Sequence, residues 1–223
     1  GVELILPDPS FVIKNKIKLE GIFITHAHED HIGALGHLLE KFKAPVYCRK
    51  FTAAIGNKKI ENNSHLTKRI KVTAAFPKLI QAGPFEVGFL PLSHSIPEAS
   101  ALLIKTPIGA LIHTGDLKID RTPVLGEPFN DKLLRSLGKK GVLALACDST
   151  NVFNNWSGRS ESTLKSSLKD LMLKSSGMIV ATTFASNLAR VLTLAQCAEE
   201  TGRSILVLGR AMQTMLHTAT AVN

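Results

Sequence analysis

Four side chains that commonly bind metal ions stand close together near the start of the chain, directly after a short apolar run. The segment ITHAHEDHIGAL, residues 24–35, contains His26, His28, Asp30 and His31. The preceding run GIFIT predicts a short buried strand, and apolar residues at helical spacing from Ile32 to Phe42 predict a helix. The chain must therefore turn from a strand into a helix at this polar group, which favours an α/β fold with a site at a strand end.

The spacing of these side chains suits metal coordination. Imidazole nitrogen and carboxylate oxygen are ligands of zinc and manganese, and a catalytic zinc centre uses about three protein ligands and one open position. His26 and His28 alternate on an extended segment, so both rings can face the same side. Asp30 and His31 lie where the chain enters the helix, and we therefore expect two adjacent metal sites. The alternative is a solvent-exposed polar turn, but packing gives no reason to gather four potential ligands there.

Two further candidate ligands follow other predicted strands. His94 comes after the strand FEVGFLPL, and Asp116 comes after the strand ALIHT. Taken alone, such a histidine is more typical of a hydrogen-bonded residue, and an aspartate after glycine is more typical of a turn. Together with the first group, both are better interpreted as further ligands.

The pattern of predicted elements changes after Asp148. Before it, strands dominate, among them two about the turn TPIG and the apolar run GVLALAC, which predicts a buried strand. After it, strands and helices alternate, which predicts a parallel sheet. The predicted elements are a helix capped by Ser160, a strand over 177–184, a helix over 186–202 closed by Gly202, and a strand over 203–209.

A change of domain accompanies this change of pattern. We place the boundary within residues 151–160, which gives domains at 1–155 and 156–223. The chain starts with Gly1 and its last helix has no stop signal, so we expect an internal segment of a longer protein, with both domains incomplete.

Composition narrows the class of protein. The chain is 44% hydrophobic and 20% charged, and no apolar run reaches the roughly 18 residues of a membrane span, so we expect a soluble protein without a membrane partner. Lysine and arginine outnumber acids 27 to 18, for a net charge of +9. This excess favours a polyanionic partner, the alternative being a solvated basic surface. Cys48, Cys147 and Cys197 form no CxxC pair, which predicts buried, reduced thiols and a cytoplasmic location.

The motifs carry a family resemblance over nearly the whole chain. In order, these are HAHEDH, LSHSIPE, HTGD, CDSTN, TTFASN and LGRAM. Together they resemble the metallo-β-lactamase superfamily, within it the β-CASP nucleases, and most closely the bacterial ribonuclease J group. The resemblance implies a partial αββα sandwich followed by the start of an inserted α/β β-CASP domain with a parallel sheet.

The same resemblance assigns roles to individual residues. It implies that His26, His28 and His94 hold one metal ion, that Asp30 and His31 hold a second, and that Asp116 bridges both. Asp148 matches an acidic β-CASP motif that orients a histidine partner, so the implied catalytic residues are Asp30, Asp116 and Asp148. The implied cofactors are two divalent ions, most readily Zn²⁺, with Mn²⁺ as the other option.

The other histidines do not match the family's ligand motifs. His113 is expected to support the site from nearby, and His37 and His65 are expected at the surface. Family members carry further histidines after the β-CASP insert, whereas His217 has a helical context that matches neither motif. We therefore expect at least one ligand outside this chain.

The implied activity is hydrolysis of RNA phosphodiesters by a metal-activated hydroxide, exonucleolytic from the 5′ end, endonucleolytic, or both. The expected partner is RNA, with a 5′-monophosphorylated single strand favoured, and we expect a homo-oligomer that can also associate with other RNA-decay proteins. Candidate phosphate contacts are Ser186, Asn187, Arg190 and Arg210, which stand where predicted strands lead into helices. The alternative for these four residues is ordinary helix capping and solvated arginines.

Two other functions stay open. The same metal motif serves small ester and thioester hydrolases such as glyoxalase II and lactonases, although the basic charge and the region after Asp148 do not favour them. A non-catalytic β-CASP subunit that binds RNA is the other alternative, but every ligand position visible in this sequence is occupied.

Overall fold

A computed structural model of the chain describes residues 5–60, 63–156 and 158–222. The helices are α1 Ser10–Lys14, α2 Glu29–Ile32, α3 Leu35–Lys41, α4 Lys50–Lys59, α5 Ser64–Thr67, α6 Asp131–Lys139, α7 Lys165–Lys174, α8 Leu188–Glu200 and α9 Arg210–Val222. The strands are β1 Ile22–Phe23, β2 Val46–Cys48, β3 Ile70–Val72, β4 Ile80–Ala82, β5 Phe85–Pro91, β6 Ser100–Thr106, β7 Gly109–His113 and β8 Ala144–Ala146. No helix in the described ranges has the length and apolar character needed to cross a membrane.

The first sheet is small and parallel, in the order β1-β2-β3. Parallel neighbours need crossover connections, which α2 with α3 and α4 with α5 supply. Val46 on the central strand is fully buried, and the apolar faces of α3 and α4 pack beside it through Leu39 and Phe51. The carboxyl ends of all three strands lie on one edge of the sheet.

The second sheet has the order β4-β5-β6-β7-β8, antiparallel except for the parallel pair β7-β8. Its centre is covered on both faces, since consecutive residues such as Phe89 and Leu90 are both fully buried. Because β5, β7 and β8 run in the same direction, the residues that follow them meet at one edge. His94, Asp116 and Asp148 are therefore brought to the same side of the molecule.

The two sheets meet where β1 ends. The backbone N–H of Ser100, at the start of β6, donates to the carbonyl oxygen of Thr25 at 3.1 Å. Behind this junction the ring of Phe23 stacks on Tyr47 and tilts against Phe89, with centroid separations of 5.1 and 6.2 Å. The histidine-rich turn after β1 is thus placed beside the polar edge of the second sheet.

The helices after residue 160 pack in two places. Helices α7 and α8 form a small apolar cluster around Met172, Cys197 and Ala198. Helix α8 begins at Leu188, which lies in the main core, and α9 packs against that core through Met215 and Leu216. As predicted, α8 is followed by Gly202 with a positive φ of 69°.

The structure differs from the sequence predictions in several local features. The helix predicted after the histidine motif is divided into α2 and α3, with a turn at residues 33–34 between them. A 3-10 turn, Glu161–Thr163, separates the Ser160 cap from α7. Helix α4 forms at residues for which the sequence pattern predicts no helix or strand. The predicted strands over 177–184 and 203–209 are wrong, since neither segment forms a ladder within residues 158–222.

The reason for the missing strands is the absence of hydrogen-bonding neighbours in the described ranges. The side chains of Met178 and Leu206 are 91% and 80% exposed, so apolar character alone did not create a ladder. The predicted burial of strand β8 is also wrong. Leu143, directly before the strand, and Leu145, within it, are both exposed. Strand β8 is the last strand of its sheet, so one long edge lacks a covering strand. Cys147, predicted as buried, is exposed for the same reason, whereas Cys48 and Cys197 are buried.

Candidate metal centre

The histidine-rich turn leaves β1 in an extended conformation and then enters α2. His26 is fully buried, and His28 precedes the helix with an extended backbone. The N–H of His31 then donates to the carbonyl of His28 at 3.0 Å, which starts the first helical turn. Because of this change in backbone geometry, the rings of His26 and His28 belong to one group of candidate ligands. Asp30 and His31 belong to a second group.

The first group contains the donor atoms of His26, His28, His94 and Asp116, all within 4.8 Å of one another. His28 Nδ1 lies 3.0 Å from His26 Nε2 and 3.1 Å from His94 Nε2. Asp116 Oδ2 lies 3.8 Å from His26 Nε2 and 3.9 Å from His94 Nε2. Tetrahedral coordination with bonds near 2.0–2.1 Å separates ligand atoms by about 3.3 Å, so these atoms are spaced as zinc ligands would be.

The second group contains Asp30, His31 and Asp116. His31 Nε2 lies 3.2 Å from Asp116 Oδ1 and 3.4 Å from Asp30 Oδ2. The Asp30 side chain is 76% exposed, so this group opens to solvent on the side where Asp30 lies. Asp116 contributes one carboxylate oxygen to each group.

Burial and mutual proximity keep the three histidines of the first group neutral. Desolvation, reinforced by His31, His28 and His94, lowers the pKa of His26 to about 2. Desolvation and His94 lower the pKa of His28 to about 4, although Asp30 and Asp116 oppose the shift. The pKa of His94 is also lowered by burial. Neutral imidazole is the form that binds a metal ion, so these rings are held ready for coordination.

Asp148 lies beside the turn that carries Asp116 and outside both groups of donors. Its N–H donates to Thr114 Oγ1 at 2.9 Å, and its Oδ2 accepts from the N–H of Leu117 at 3.4 Å. Its Oδ1 accepts two hydrogen bonds from Thr150, which lower the pKa of Asp148. These contacts flank Asp116 on both sides, so Asp148 supports the Asp116 turn in this structure.

Among the residues predicted to bind RNA phosphate, two have other partners within the chain. Asn187 caps α8 by accepting from the N–H of Arg190 at 3.0 Å. Arg190 is paired with both carboxylate oxygens of the buried Glu161. Ser186 is half-buried, and Arg210 is exposed as the first residue of α9. These roles stay predictions.

The start of α8 nevertheless lies next to the site. The N–H of Ala189 approaches the carbonyl of Ser95 at 3.4 Å, immediately after His94. The hydroxyl of Ser95 lies 3.4 Å from His28 Nε2. No sequence motif marks Ser95, and its position directly after His94 is the only signal for it.

The remaining histidines lie outside the two groups. His113 Nδ1 accepts from the N–H of Gly115 at 2.9 Å, a supporting contact one residue from Asp116. His37, His65 and His217 are exposed. The surface positions predicted for His37 and His65 are therefore confirmed.

No sequence pattern predicts an ion-pair network that lies near the site. Arg49, buried directly before α4, lies 3.2 Å from Glu127 and 3.5 Å from Glu98. Glu98 also accepts from the backbone N–H of Phe51 at the start of α4. The network ties the loop after His94 to α4, and its members are too far apart in sequence to form a local motif.

The chain belongs to the metallo-β-lactamase superfamily, whose family model matches residues 9–166. A second family model, ribonuclease J, β-CASP domain, matches residues 176–223. The mixed α/β structure, with a metallo-β-lactamase part followed by a β-CASP segment, confirms the predicted fold class. The boundary between residues 155 and 156 stays a prediction.

Several relatives are similar over almost the whole chain. Ribonuclease J of Sinorhizobium meliloti is 40% identical over 98% of this chain and 39% of its own length. Ribonuclease J of Helicobacter pylori strain 26695 is 36% identical over 98% of this chain and 32% of its own length. Ribonuclease J2 of Bacillus subtilis is 32% identical over 98% of this chain and 40% of its own length. The chain thus spans about a third to two fifths of the length of these relatives.

A solved structure supports the same fold. A crystal structure of a protein of unknown function from Enterococcus faecalis V583 superposes with a TM-score of 0.60 at 20% identity. The match covers 97% of this chain and 59% of that one. At this identity the likeness concerns the fold alone.

Proposed function

We propose that this chain carries the metal centre of a metal-dependent ribonuclease of the ribonuclease J type. The proposal rests on the geometry at Asp116, because its two carboxylate oxygens face two separate sets of donor atoms. The family match and the names of the relatives support a nuclease. The net charge of +9 supports a polyanionic substrate.

The donor set fits two divalent ions. His26, His28, His94 and Asp116 would hold one, and Asp30, His31 and Asp116 would hold the other. Histidine-rich sets favour Zn²⁺, and the exposed carboxylates also suit Mn²⁺. Ions held by these residues would supply a more acidic water and would stabilise the negative charge that develops on phosphate during hydrolysis.

The residues of this chain then have distinct tasks. The exposed carboxylate of Asp30 can accept the proton of the attacking water, since it is the most exposed side chain of the second group. Asp148, through Thr114 and Leu117, holds the Asp116 turn. Hydrolysis breaks the bond between phosphorus and the 3′-oxygen, leaving a 5′-phosphate and a 3′-hydroxyl. The 2′-hydroxyl takes no part, so a preference for RNA must come from binding contacts.

The start of α8 is the proposed place for an RNA phosphate. Its first turn lies against the loop that carries His94, and helix N-termini favour anions. Ser186 and Asn187 belong to this turn, with Arg190 inside the helix and Arg210 at the next helix start. We further propose a cytoplasmic, homo-oligomeric protein that degrades RNA from the 5′ end, internally, or both.

The test uses the intact protein with zinc or manganese and a 5′-monophosphorylated RNA. The double variant Asp30→Ala, His31→Ala should bind RNA with unchanged affinity. Its cleavage rate should be at least about 10²-fold lower than that of the unaltered protein. The matched control is His37→Ala, His65→Ala, which changes two exposed histidines outside the site and should leave cleavage unchanged. Full activity of the first variant would contradict the two-metal proposal.

The same assay separates the alternative functions. Hydrolysis of a thioester with no RNA cleavage by the unaltered protein would favour a small-ester hydrolase. Tight RNA binding without cleavage of either substrate would favour a binding subunit.

A further inference from the structure

Thr25 occupies the point at which three parts of the fold meet. It is 6% exposed and lies between the end of β1 and His26. Its carbonyl accepts from Ser100 at the start of β6, as described above, and its Oγ1 lies 3.0 Å from His26 Nδ1. Its side chain also touches Gly115, in the turn that carries Asp116.

The space between Gly115 and Thr25 is tight for any larger residue. Gly115 has a φ of +56°, a conformation that residues with a Cβ rarely adopt. A Cβ at this position would lie 3.0 Å from both Cβ and Oγ1 of Thr25. The backbone of the Asp116 turn therefore rests directly on the Thr25 side chain.

The hydrogen bond to His26 has a direction that the site imposes. His26 Nε2 faces the other donors, 3.0 Å from His28 Nδ1 and 3.8 Å from Asp116 Oδ2. A neutral imidazole that offers Nε2 as a ligand carries its proton on Nδ1. The hydroxyl oxygen of Thr25 is then the acceptor of that Nδ1–H.

We propose that Thr25 is a positioning residue of the metal centre. Its hydroxyl fixes the ring orientation and the tautomer of His26, and its side chain sets the distance between the His26 turn and the Asp116 turn through Gly115. The proposal deepens the proposed function, because it rests on His26 and Asp116 acting as ligands.

The main experiment compares two variants of the intact protein that separate the hydroxyl of Thr25 from its branched shape. Thr25→Val keeps the branched shape and removes the hydroxyl, whereas Thr25→Ser keeps the hydroxyl. Zinc affinity is measured on metal-free protein by competition with a chelator, without RNA. We expect Thr25→Val to weaken zinc binding about 10- to 100-fold, as losses of outer hydrogen-bond partners do, and Thr25→Ser to restore it. Loss of the buried hydrogen bond to His26 should also lower the thermal midpoint of metal-free Thr25→Val, so zinc affinity is measured well below that midpoint.

A second readout reports on His26 without a metal. Nitrogen-15 NMR of the histidine rings in metal-free protein should show the Nδ1–H tautomer of His26 in the unaltered protein and in Thr25→Ser. Thr25→Val should show a mixture of tautomers. If the unaltered protein showed this tautomer but bound no zinc, the proposed function would fail while the role of Thr25 toward His26 stood.

The Gly115 contact is tested by a matched pair of glycines. Gly115→Ala and Gly126→Ala both place alanine at a positive φ, but a Cβ at Gly126 meets nothing within 4 Å. We expect only Gly115→Ala to weaken zinc binding, and its effect should be smaller in a Thr25→Ala background, which removes two of the three opposing atoms, Oγ1 and Cγ2.

Two results would overturn the proposal. One is zinc affinity in Thr25→Val equal to that of the unaltered protein, with an unchanged His26 tautomer. The other is an equal loss of zinc affinity and thermal stability in Thr25→Val and Thr25→Ser, which would indicate a packing role only.

Discussion

The two carboxylate oxygens of Asp116 face different histidines. Oδ1 lies 3.2 Å from His31 Nε2, and Oδ2 lies 3.8 Å from His26 Nε2. The turn after β7 and the first turn of α2 are thereby joined through one side chain. A residue that serves both groups of donors should have a larger effect on metal content than a residue that serves one.

Metal content should therefore separate Asp116 from Asp30. We expect Asp116→Asn to retain less than one zinc per chain, because the amide offers one oxygen and no negative charge. Asp30→Asn should lose only the second ion, and elemental analysis of protein dialysed in zinc measures both. Asp170→Asn, at an exposed position on α7, is the control and should keep the full content. Full zinc content in Asp116→Asn would show that Asp116 does not bridge.

Acid should destabilise the metal-free protein through its buried histidines. Burial and His94 lower the pKa of His28 from 6.5 to about 4, so the unfolded chain binds more protons than the folded one in this range. The stabilising contribution is complete above about pH 6.5 and is lost as the pH falls toward about 4. Thermal midpoints in a chelating buffer between pH 8 and about pH 4 should fall accordingly.

The variant His28→Gln should show a shallower fall over the same range, because it removes one of the groups that must take up a proton. His217→Gln replaces an exposed histidine on α9 and should keep the slope of the unaltered protein. An identical slope in all three proteins would rule out His28 as a source of the acid sensitivity.

The ion pair between Arg190 and Glu161 should contribute to stability. Arg190→Met leaves the carboxylate of Glu161, 8% exposed, without its partner, which should cost roughly 1–3 kcal/mol in the free energy of unfolding. Adding Glu161→Gln should recover part of this loss, and urea unfolding measures both. Arg210→Ala, at an exposed position, should leave stability unchanged.

RNA affinity distinguishes the two arginines further. If both bind phosphate as predicted, each single variant weakens RNA binding when measured well below its unfolding midpoint. Unchanged affinity in Arg190→Met would mean that Glu161 fully occupies this arginine.

Local patterns of the sequence predicted the candidate ligands of the site. Six candidate ligands were placed after strands or at a strand-to-helix turn, and the structure brings all six together in two groups that share Asp116. The places of these residues in the chain could be predicted because strand ends and helix starts follow from nearby apolar spacing. The position of Asp116 follows from β5 and β7 running in the same direction.

The sequence by itself therefore determined the types and order of the candidate ligands, and the α/β class with a metallo-β-lactamase part followed by a β-CASP segment. The tertiary structure decided what each strand and each polar side chain meets. It left 177–184 and 203–209 without a ladder, exposed β8, and paired Arg190 with Glu161. It also placed Thr25 between His26 and Gly115. Those outcomes depend on contacts between residues distant in the chain, which no local pattern encodes.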